Sequence, residues 1–269
     1  MSNDFDVIPI FGHSNSVPYS VHCLVTTRCS LKCPGCFYMT LDRHNKGEWS
    51  WEFAKSIADQ CVNMGVRWLA IGGGEPSEWK HINAFTVYAK EYLGLKVAVT
   101  TNGRARYPFY ADTIHVSYDR KHTIGLVDPV GWLRDTIGFY KKVTRSVGIN
   151  TVLSDVSWVD PTAYDFVDHI TIVQDKPLVF PLASKDECQK LFDAIPAHVE
   201  VTIDGCLNAR ITGITECSQG VTSMSIDPIG RFSACSNSRH KIVAASVKSA
   251  WNTLRLQCDE MPKGCLLTE

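Results

Sequence analysis

The sequence lacks three features that would each assign it to a particular class of protein. It has no excess of positive charge, because 27 lysines and arginines face 28 aspartates and glutamates, and this balance argues against nucleic acid as a partner. No apolar run approaches the roughly 18 residues of a membrane span. The first residues lack the basic and apolar regions of a secretory signal peptide. We therefore expect a cytoplasmic protein without membrane contact.

Cysteine, in contrast, is abundant, with 11 in 269 residues. In a chain with no sign of export this number indicates metal ligation before disulfide bonds, and an extracellular disulfide-bonded protein is the alternative. Cys29, Cys33 and Cys36 are spaced four and three residues apart. Thiolates bind zinc, copper(I) or iron-sulfur clusters. Three thiolates on a four-iron cluster leave one iron for another ligand, whereas a structural zinc site is normally closed by four protein ligands.

Apolar segments alternate with amphipathic segments along most of the chain, which predicts strands and helices in turn. Strands are predicted over 21–26, 67–71, 96–100, 113–117, 147–153 and 169–173, and helices over 49–64, 81–93 and 130–143. This alternation is typical of parallel βαβ units. Six strands are two short of a closed eight-stranded barrel, so we expect an α/β fold with an open, partial (β/α)6 TIM-like barrel. Its ligands should lie at the C-terminal ends of the strands.

Two motifs follow the first two predicted strands. Cys29, Cys33 and Cys36, with Phe37 next to the last thiol, follow the first strand, and Gly-Gly-Gly-Glu-Pro at 72–76 follows the second. Together they resemble the radical S-adenosylmethionine (radical SAM) superfamily. The resemblance implies that the three thiolates hold three irons of a 4Fe-4S cluster and that S-adenosyl-L-methionine binds the fourth.

The resemblance also implies which residues contact S-adenosylmethionine. The glycines would let the backbone approach its methionine amino group, and Phe37 would lie near its adenine. The implied contacts are Phe37, Gly72, Gly73, Gly74, Glu75, Pro76, Asn102, Ser117, Asp119 and Asn150. Alternatives remain: a tight glycine turn, core packing of Phe37, an ordinary Asn-Gly turn at 102–103, and a satisfied core amide for Asn150.

The pattern changes after a predicted helix at 184–195 and a short strand at 198–203. Residues 224–226 and 231–234 alternate about 227–230 and predict a β-hairpin, which Cys217 and Cys235 flank. This stretch resembles the auxiliary-cluster module called SPASM, or twitch in its shorter form. We therefore divide the chain into an N-terminal extension at 1–18, a partial barrel at 19–205 and a small C-terminal hairpin and helix domain at 206–269.

The second resemblance implies an auxiliary 4Fe-4S cluster held by Cys217, Cys235, Cys258 and Cys265. The last two cysteines are more widely spaced than in that module, so a three-ligand cluster with an open iron and a structural zinc site are alternatives. The other cysteines at apolar positions should be core residues. These are Cys23, Cys61 and Cys188.

The resemblance implies a reaction. An external electron donor such as flavodoxin or ferredoxin would reduce the first cluster, and cleavage of S-adenosylmethionine would give a 5'-deoxyadenosyl radical that takes a hydrogen atom from the substrate. With the auxiliary cluster as electron acceptor, an oxidoreductase that oxidises or couples a small molecule is predicted. The alternatives are crosslinking or epimerisation of a ribosomal peptide, and a non-catalytic iron-sulfur carrier or binding protein. No peptide-binding domain is visible in the first twenty residues, which favours the small molecule.

Basic residues follow the third and fourth predicted strands and suit an anionic substrate group. An ordinary solvated loop with the same composition is the alternative. They are Arg104, Arg106, Arg120, Lys121 and His122. His122 is a candidate proton-transfer residue. Cys206 is a candidate hydrogen-atom donor to a substrate radical.

Overall fold

The computed structural model describes residues 16–36, 46–153, 161–174, 184–212, 219–238 and 240–260. Its strands are β1 (Ser20–Thr26), β2 (Trp68–Gly73), β3 (Lys96–Thr101), β4 (Thr113–Ser117), β5 (Ser146–Leu153), β6 (His169–Gln174), β7 (Glu200–Ile203), β8 (Ser223–Ile226) and β9 (Phe232–Ser233). Its helices are α1 (Trp51–Met64), α2 (Ile82–Val87), α3 (Pro129–Tyr140), α4 (Lys185–Ala194), α5 (Gly205–Thr212) and α6 (Val247–Glu260). A π-helical turn, Tyr88–Tyr92, continues α2.

One sheet of nine strands organises the described residues, in the order β7-β6-β5-β4-β3-β2-β1-β8-β9. Strands β1 to β7 pair in parallel in chain order. This open parallel sheet confirms the predicted α/β partial barrel. It also gives the short strand after α4 a place as the seventh strand, β7.

The helix side of the sheet is the main hydrophobic core. Alternate strand residues are fully buried there, as Leu69, Val97 and Ile114 show. Helix α1 packs its apolar stripe onto this face through Ala54, Ile57, Ala58 and Cys61. Ser50 caps the N-terminus of α1, because its side chain accepts from the Phe53 amide. Cys23, Cys61 and Cys188 are core residues, as predicted.

The predicted hairpin of β8 and β9 is present, and it extends the barrel sheet. Strand β8 pairs in parallel with β1, while β9 returns antiparallel to β8. The buried Asp227 carboxylate stabilises the turn between them. It accepts from Arg231 Nε at 2.7 Å and from Lys241 Nζ at 3.3 Å. Trp49 Nε1 donates to the Asp227 carbonyl at 2.9 Å. The hairpin is therefore tied both to the sheet edge and to the segment before α1.

The opposite face of the sheet carries a row of polar residues. Pairing places Thr100, His115, Gly148 and His169 side by side on neighbouring strands. Because Gly148 has no side chain, the His169 ring reaches across it, and His169 Nε2 lies 3.2 Å from His115 Nδ1. Burial, and then the charge of His169, lowers the pKa of His115 to about 3. Both rings are therefore neutral at neutral pH.

No helix among the described residues is long and apolar enough to cross a membrane. Helices α1 and α6 have 14 residues each, whereas a helix that spans a membrane needs about 20.

We expect Gly148→Ala to destabilise the protein. A Cβ atom at Gly148 would lie 2.2 Å from His169 Cδ2 and 2.3 Å from the His169 carbonyl oxygen, so β5 and β6 would have to separate. Overpacking of this kind costs about 1–3 kcal/mol. The measurement is the free energy of unfolding from urea titration.

The matched control is Gly138→Ala in α3, where a Cβ atom would meet nothing within 4 Å. Because alanine favours the helix by up to about 1 kcal/mol over glycine, this variant should be at least as stable as the wild type. Equal stability of Gly148→Ala and the wild type would contradict the packing of His169 across Gly148.

Candidate functional site

The loop after β2 packs directly against the chain that leaves β1. Gly74 N donates to the Thr26 carbonyl at 2.6 Å, and Glu75 N donates to the Arg28 carbonyl at 2.7 Å. A Cβ atom on Gly74 would lie 2.1 Å from the Arg28 carbonyl oxygen, and Gly73 has a φ of +118°. Only glycine suits both positions. Gly73 and Gly74 therefore allow the backbones of the loops after β1 and β2 to pack directly against each other.

Glu75 joins the ends of β2 and β3. Glu75 is 2% exposed. Its carboxylate accepts from the Thr101 hydroxyl at 2.8 Å and from the backbone amide of Asn102 at 2.7 Å. It also accepts from the amide and hydroxyl of Ser77. Burial raises the pKa of Glu75, and these four donors oppose that shift. Its carboxylate therefore holds the loop after β2 against the end of β3.

The three cysteines after β1 line one cavity together with the glycine loop. Cys36 N donates to the Cys33 carbonyl at 3.2 Å, in a turn where Gly35 has a φ of 66°. The start of the loop is fixed by Glu78, whose carboxylate accepts from the Ser30 amide at 2.5 Å. The side-chain amide of Asn102 donates a hydrogen bond to Cys29 Sγ at 3.8 Å. Loops after β1, β2 and β3 thus converge on the thiols.

The surroundings of two thiols favour their protonated form when no metal is bound. Burial raises the pKa of Cys29 to about 11, with Glu75 and Glu78 adding to the shift. Burial also raises the pKa of Cys33 to about 12, followed by the charges of Cys36, Cys29 and Asp119. A bound metal centre would displace these protons, since the thiolate is the ligand.

Cys29, Cys33 and Cys36 line the wall of one cavity. Among the residues that the structure describes, no three Cys, His, Asp or Glu side chains come close enough together to hold a single metal ion. Three thiols around a shared cavity are the donor set of an iron-sulfur cluster. The chain thus offers a suitable site for such a cluster.

The cavity measures about 290 Å³ and lies at the C-terminal ends of the strands. Of the residues predicted to contact a cofactor, the structure brings Gly72, Gly73, Gly74, Asn102 and Ser117 to its wall. Lys121 and His122 of the basic group line it as well. These residues lie at the C-terminal ends of the strands or in the loops that follow them.

Other wall residues were missed by the sequence reasoning. They are Thr27, Leu31, Gly35, Thr100, Thr101, Val152, Val173, Gln174, Asp204 and Asn237. The signal for Thr100, Val152 and Val173 was the two-residue alternation within their strands, which places them on the same face as Gly72 and Ser117. Asp204 and Asn237 lie in loops that the sequence did not place near Cys29, Cys33 and Cys36.

Two predicted cofactor residues have other partners. The Asp119 carboxylate accepts from His122 Nδ1 and from the amide of Lys121, both at 2.8 Å. The Asn150 side chain donates to Thr100 Oγ1 at 3.3 Å. Its Oδ1 atom is buried without a hydrogen-bond partner. Asn150 is therefore one contact away from the cavity, because its partner Thr100 lines the cavity wall.

Two of the three remaining basic residues, Arg104 and Arg106, make contacts that hold the loops. The Arg104 guanidinium donates to the carbonyls of His122 and Ile124 at 2.8 and 3.0 Å, joining the loops after β3 and β4. Arg106 pairs with Asp135 at 3.7 Å, and Arg120 is exposed.

Several predicted ligands fall outside the description. Phe37, Cys217 and Cys265 lie outside the described residues, and Cys258 is in α6 with its side chain undescribed. Cys235 follows β9, and its Sγ accepts from the Asn237 amide at 3.4 Å. Cys206 lies in the first turn of α5, two residues after Asp204.

Part of the chain is similar to a known protein family. Residues 23–115 match the model of the radical SAM superfamily. The Fe-coproporphyrin III synthase of Methanosarcina barkeri (strain Fusaro / DSM 804) is 33% identical over 79 residues, which are 29% of this chain and 20% of that protein. The match thus spans about a fifth of the curated relative's length.

Solved structures share the fold at low sequence identity. Streptococcus suis SuiB bound to S-adenosylmethionine has a TM-score of 0.70 at 17% identity, covering 91% of this chain and 68% of SuiB. The protein anSMEcpe with bound AdoMet has a TM-score of 0.61 at 18% identity, covering 91% of this chain and 81% of that one. Residues 23–115 therefore match the radical SAM superfamily model, and the chain shares its open parallel sheet with these solved structures.

We expect Glu75→Gln to destabilise the protein. The glutamine would bring an NH2 group to a position where four donors converge on two carboxylate oxygens. A buried donor left without an acceptor costs about 1–3 kcal/mol. Urea titration measures the loss. The control is Glu52→Gln on the exposed first turn of α1, which should change stability by no more than about 0.5 kcal/mol. Equal losses in the two variants would contradict the role of Glu75.

Proposed function

We propose that this protein is a radical SAM enzyme that cleaves S-adenosylmethionine reductively and oxidises or couples a small-molecule substrate. The observation that carries the proposal is the shared cavity at the strand ends. Three thiols, a glycine loop and strand-end polar groups all line it. That combination provides cluster ligands on one side and hydrogen-bonding groups on the other.

The chain's own residues have distinct tasks in this proposal. Cys29, Cys33 and Cys36 would hold a 4Fe-4S cluster, and the Asn102 side chain would donate a hydrogen bond to the Cys29 sulfur, a contact that tunes cluster potential. When bound, the cluster and S-adenosylmethionine together supply a 5'-deoxyadenosyl radical that can remove a hydrogen atom from an unactivated carbon.

Substrate placement would fall to the walls away from the thiols. Val152 and Val173 give the cavity an apolar wall that keeps water from a reactive intermediate. Gln174, Asp204 and Asn237 add polar groups for orienting a substrate, and the buried Lys121 supports an anionic substrate group. An external one-electron donor of the flavodoxin or ferredoxin type completes the proposal.

An auxiliary cluster in the C-terminal region would accept the electron left on the substrate. Its proposed ligands are Cys217, Cys235, Cys258 and Cys265. Support comes from the hairpin, because Asn237 lines the cavity and donates its amide hydrogen to the Cys235 sulfur. A cluster bound at Cys235 would therefore lie beside the wall of the cavity.

A ribosomal peptide is the second candidate substrate. One structural neighbour, SuiB, has been crystallised with its precursor peptide SuiA. In an epimerisation, Cys206 would return a hydrogen atom to the peptide, and its position two residues after the cavity residue Asp204 supports that role. Solvent deuterium in the product would favour this candidate over net oxidation.

We expect Cys33→Ala to abolish formation of 5'-deoxyadenosine, because the cluster would lose one of its three ligands. The assay mixes anaerobically reconstituted protein with S-adenosylmethionine and dithionite and measures 5'-deoxyadenosine by chromatography. Cys188→Ala is the control, since Cys188 is a core residue of α4. Cleavage at the wild-type rate in Cys33→Ala would refute the assignment, and no cleavage in the wild type would leave a non-catalytic iron-sulfur protein.

We expect roughly eight irons and eight sulfides per reconstituted chain, the content of two four-iron clusters. In Cys235→Ala the content should fall by about half, because the first cluster keeps its three ligands. Iron and labile-sulfide assays provide the numbers. About four irons in the wild type would rule out the auxiliary cluster while leaving the first one in place.

A further inference from the structure

We propose that His122 is a proton-transfer residue of this site and that Asp119 is its positioning residue. The proposal rests on the proposed function, because it assigns the proton that an oxidation of the substrate releases. It gives Asp119 a role different from the cofactor contact predicted from the sequence.

The Asp119 carboxylate is fixed by four donors. It is 1% exposed and accepts from the amides of Lys121 and His122 at 2.8 and 3.1 Å. The Val152 amide, on the neighbouring strand β5, lies at 3.4 Å. The fourth donor is His122 Nδ1 at 2.8 Å. Burial acts to raise the pKa of Asp119, but the His122 ring and the backbone amides of His122 and Lys121 hold it below its usual range, so the group stays ionised at neutral pH.

An ionised carboxylate only accepts hydrogen bonds, and this determines the tautomer of His122. The hydrogen of the neutral ring must be on Nδ1, which leaves the lone pair on Nε2. The ring is 26% exposed and lines the same cavity as Cys29 and Cys33. Nε2 is therefore the nitrogen available to a molecule in the cavity.

The backbone around His122 is also held on both sides. The Arg104 guanidinium donates to the His122 carbonyl at 2.8 Å and lies over the Trp132 ring at 5.5 Å. The amides of His122 and Thr123 donate to the Asp119 carbonyl at 3.1 and 3.0 Å. A ring on a solvated loop needs none of these contacts. Together they give one ring position at the cavity wall.

The arrangement suits one step of an oxidation. Once a hydrogen atom has left a carbon that bears an O–H or N–H group, the substrate radical must lose one electron and one proton. The electron reduces a one-electron acceptor of the iron-sulfur class. The O–H or N–H bond breaks, its electron pair stays on the heteroatom, which forms a double bond to carbon, and the proton forms a new bond to His122 Nε2. The Asp119 carboxylate stabilises the resulting imidazolium.

The test uses diethyl pyrocarbonate, which acylates an unprotonated imidazole nitrogen, on the reconstituted full-length protein. In Asp119→Asn, an amide NH2 can donate to Nδ1 and move the ring hydrogen to Nε2, as happens when the carboxylate of a Ser-His-Asp triad is replaced. We expect His122 to be acylated at least about tenfold more slowly in Asp119→Asn, measured residue by residue by mass spectrometry. A structural role for Asp119 alone would not protect the ring.

Two controls accompany the test. Asp135→Asn makes the same change at an exposed side chain and should leave His122 acylation as in the wild type. His198, an exposed histidine, should react equally in all three proteins. Equal acylation of His122 in the wild type and Asp119→Asn, or no acylation of His122 in the wild type, would overturn the proposal.

The 5'-deoxyadenosine assay on the same wild-type preparation distinguishes failure of the His122 proposal from failure of the proposed function. Normal cleavage with an unreactive His122 would refute the proton-transfer residue alone. A reactive, Asp119-dependent His122 with no cleavage would refute the proposed function, while the orientation of the His122 ring by Asp119 would stand.

Discussion

The contact between the loops after β1 and β2 is the constraint on which the site depends. Gly74 lies so close to the Arg28 carbonyl that a single Cβ atom would force the two loops apart. The thiol-bearing loop begins at this contact, with Cys29 next to Arg28. Its position relative to β3 is set through Glu75, whose carboxylate holds Thr101 and the Asn102 amide. The thiols are therefore located by backbone contacts and one buried carboxylate.

Much of the fold follows from the sequence because its signals are local. Buried parallel strands are short apolar runs, and the six predicted between residues 21 and 173 are all present. Strand ends are set by the same runs, so the placement of the cysteine and glycine loops at one edge also followed. The attachment of β8 to β1 did not, because it joins residues about 200 positions apart and no local pattern records that pairing.

The candidate site was predictable at the level of loops and less so at the level of side chains. Ser117 and Asn102 line the cavity, whereas the Asp119 carboxylate accepts from His122 and from two amides of its own loop. A carboxylate takes the donors that folding brings nearest, and the Val152 amide comes from β5, 33 residues away in the chain. The row of His115, Gly148 and His169 was missed for a similar reason. A glycine in one strand that makes room for a ring from the next is visible only once the strands are paired.

The division of the cavity wall along the chain explains why the chemistry is easier to infer than the substrate. The thiols and the glycine loop lie within residues 23–115, the part that matches the superfamily model. Val173, Gln174, Asp204 and Asn237 come from β6, the loops after β7 and β9, and therefore from later in the chain. Strands β1 to β4 build the half of the cavity that would generate a radical, while the later strands and the hairpin build the half that would meet the substrate. Asp119 and His122 lie where the halves join, since the Asp119 carboxylate is bonded to β5 and the His122 ring shares its cavity with the thiols.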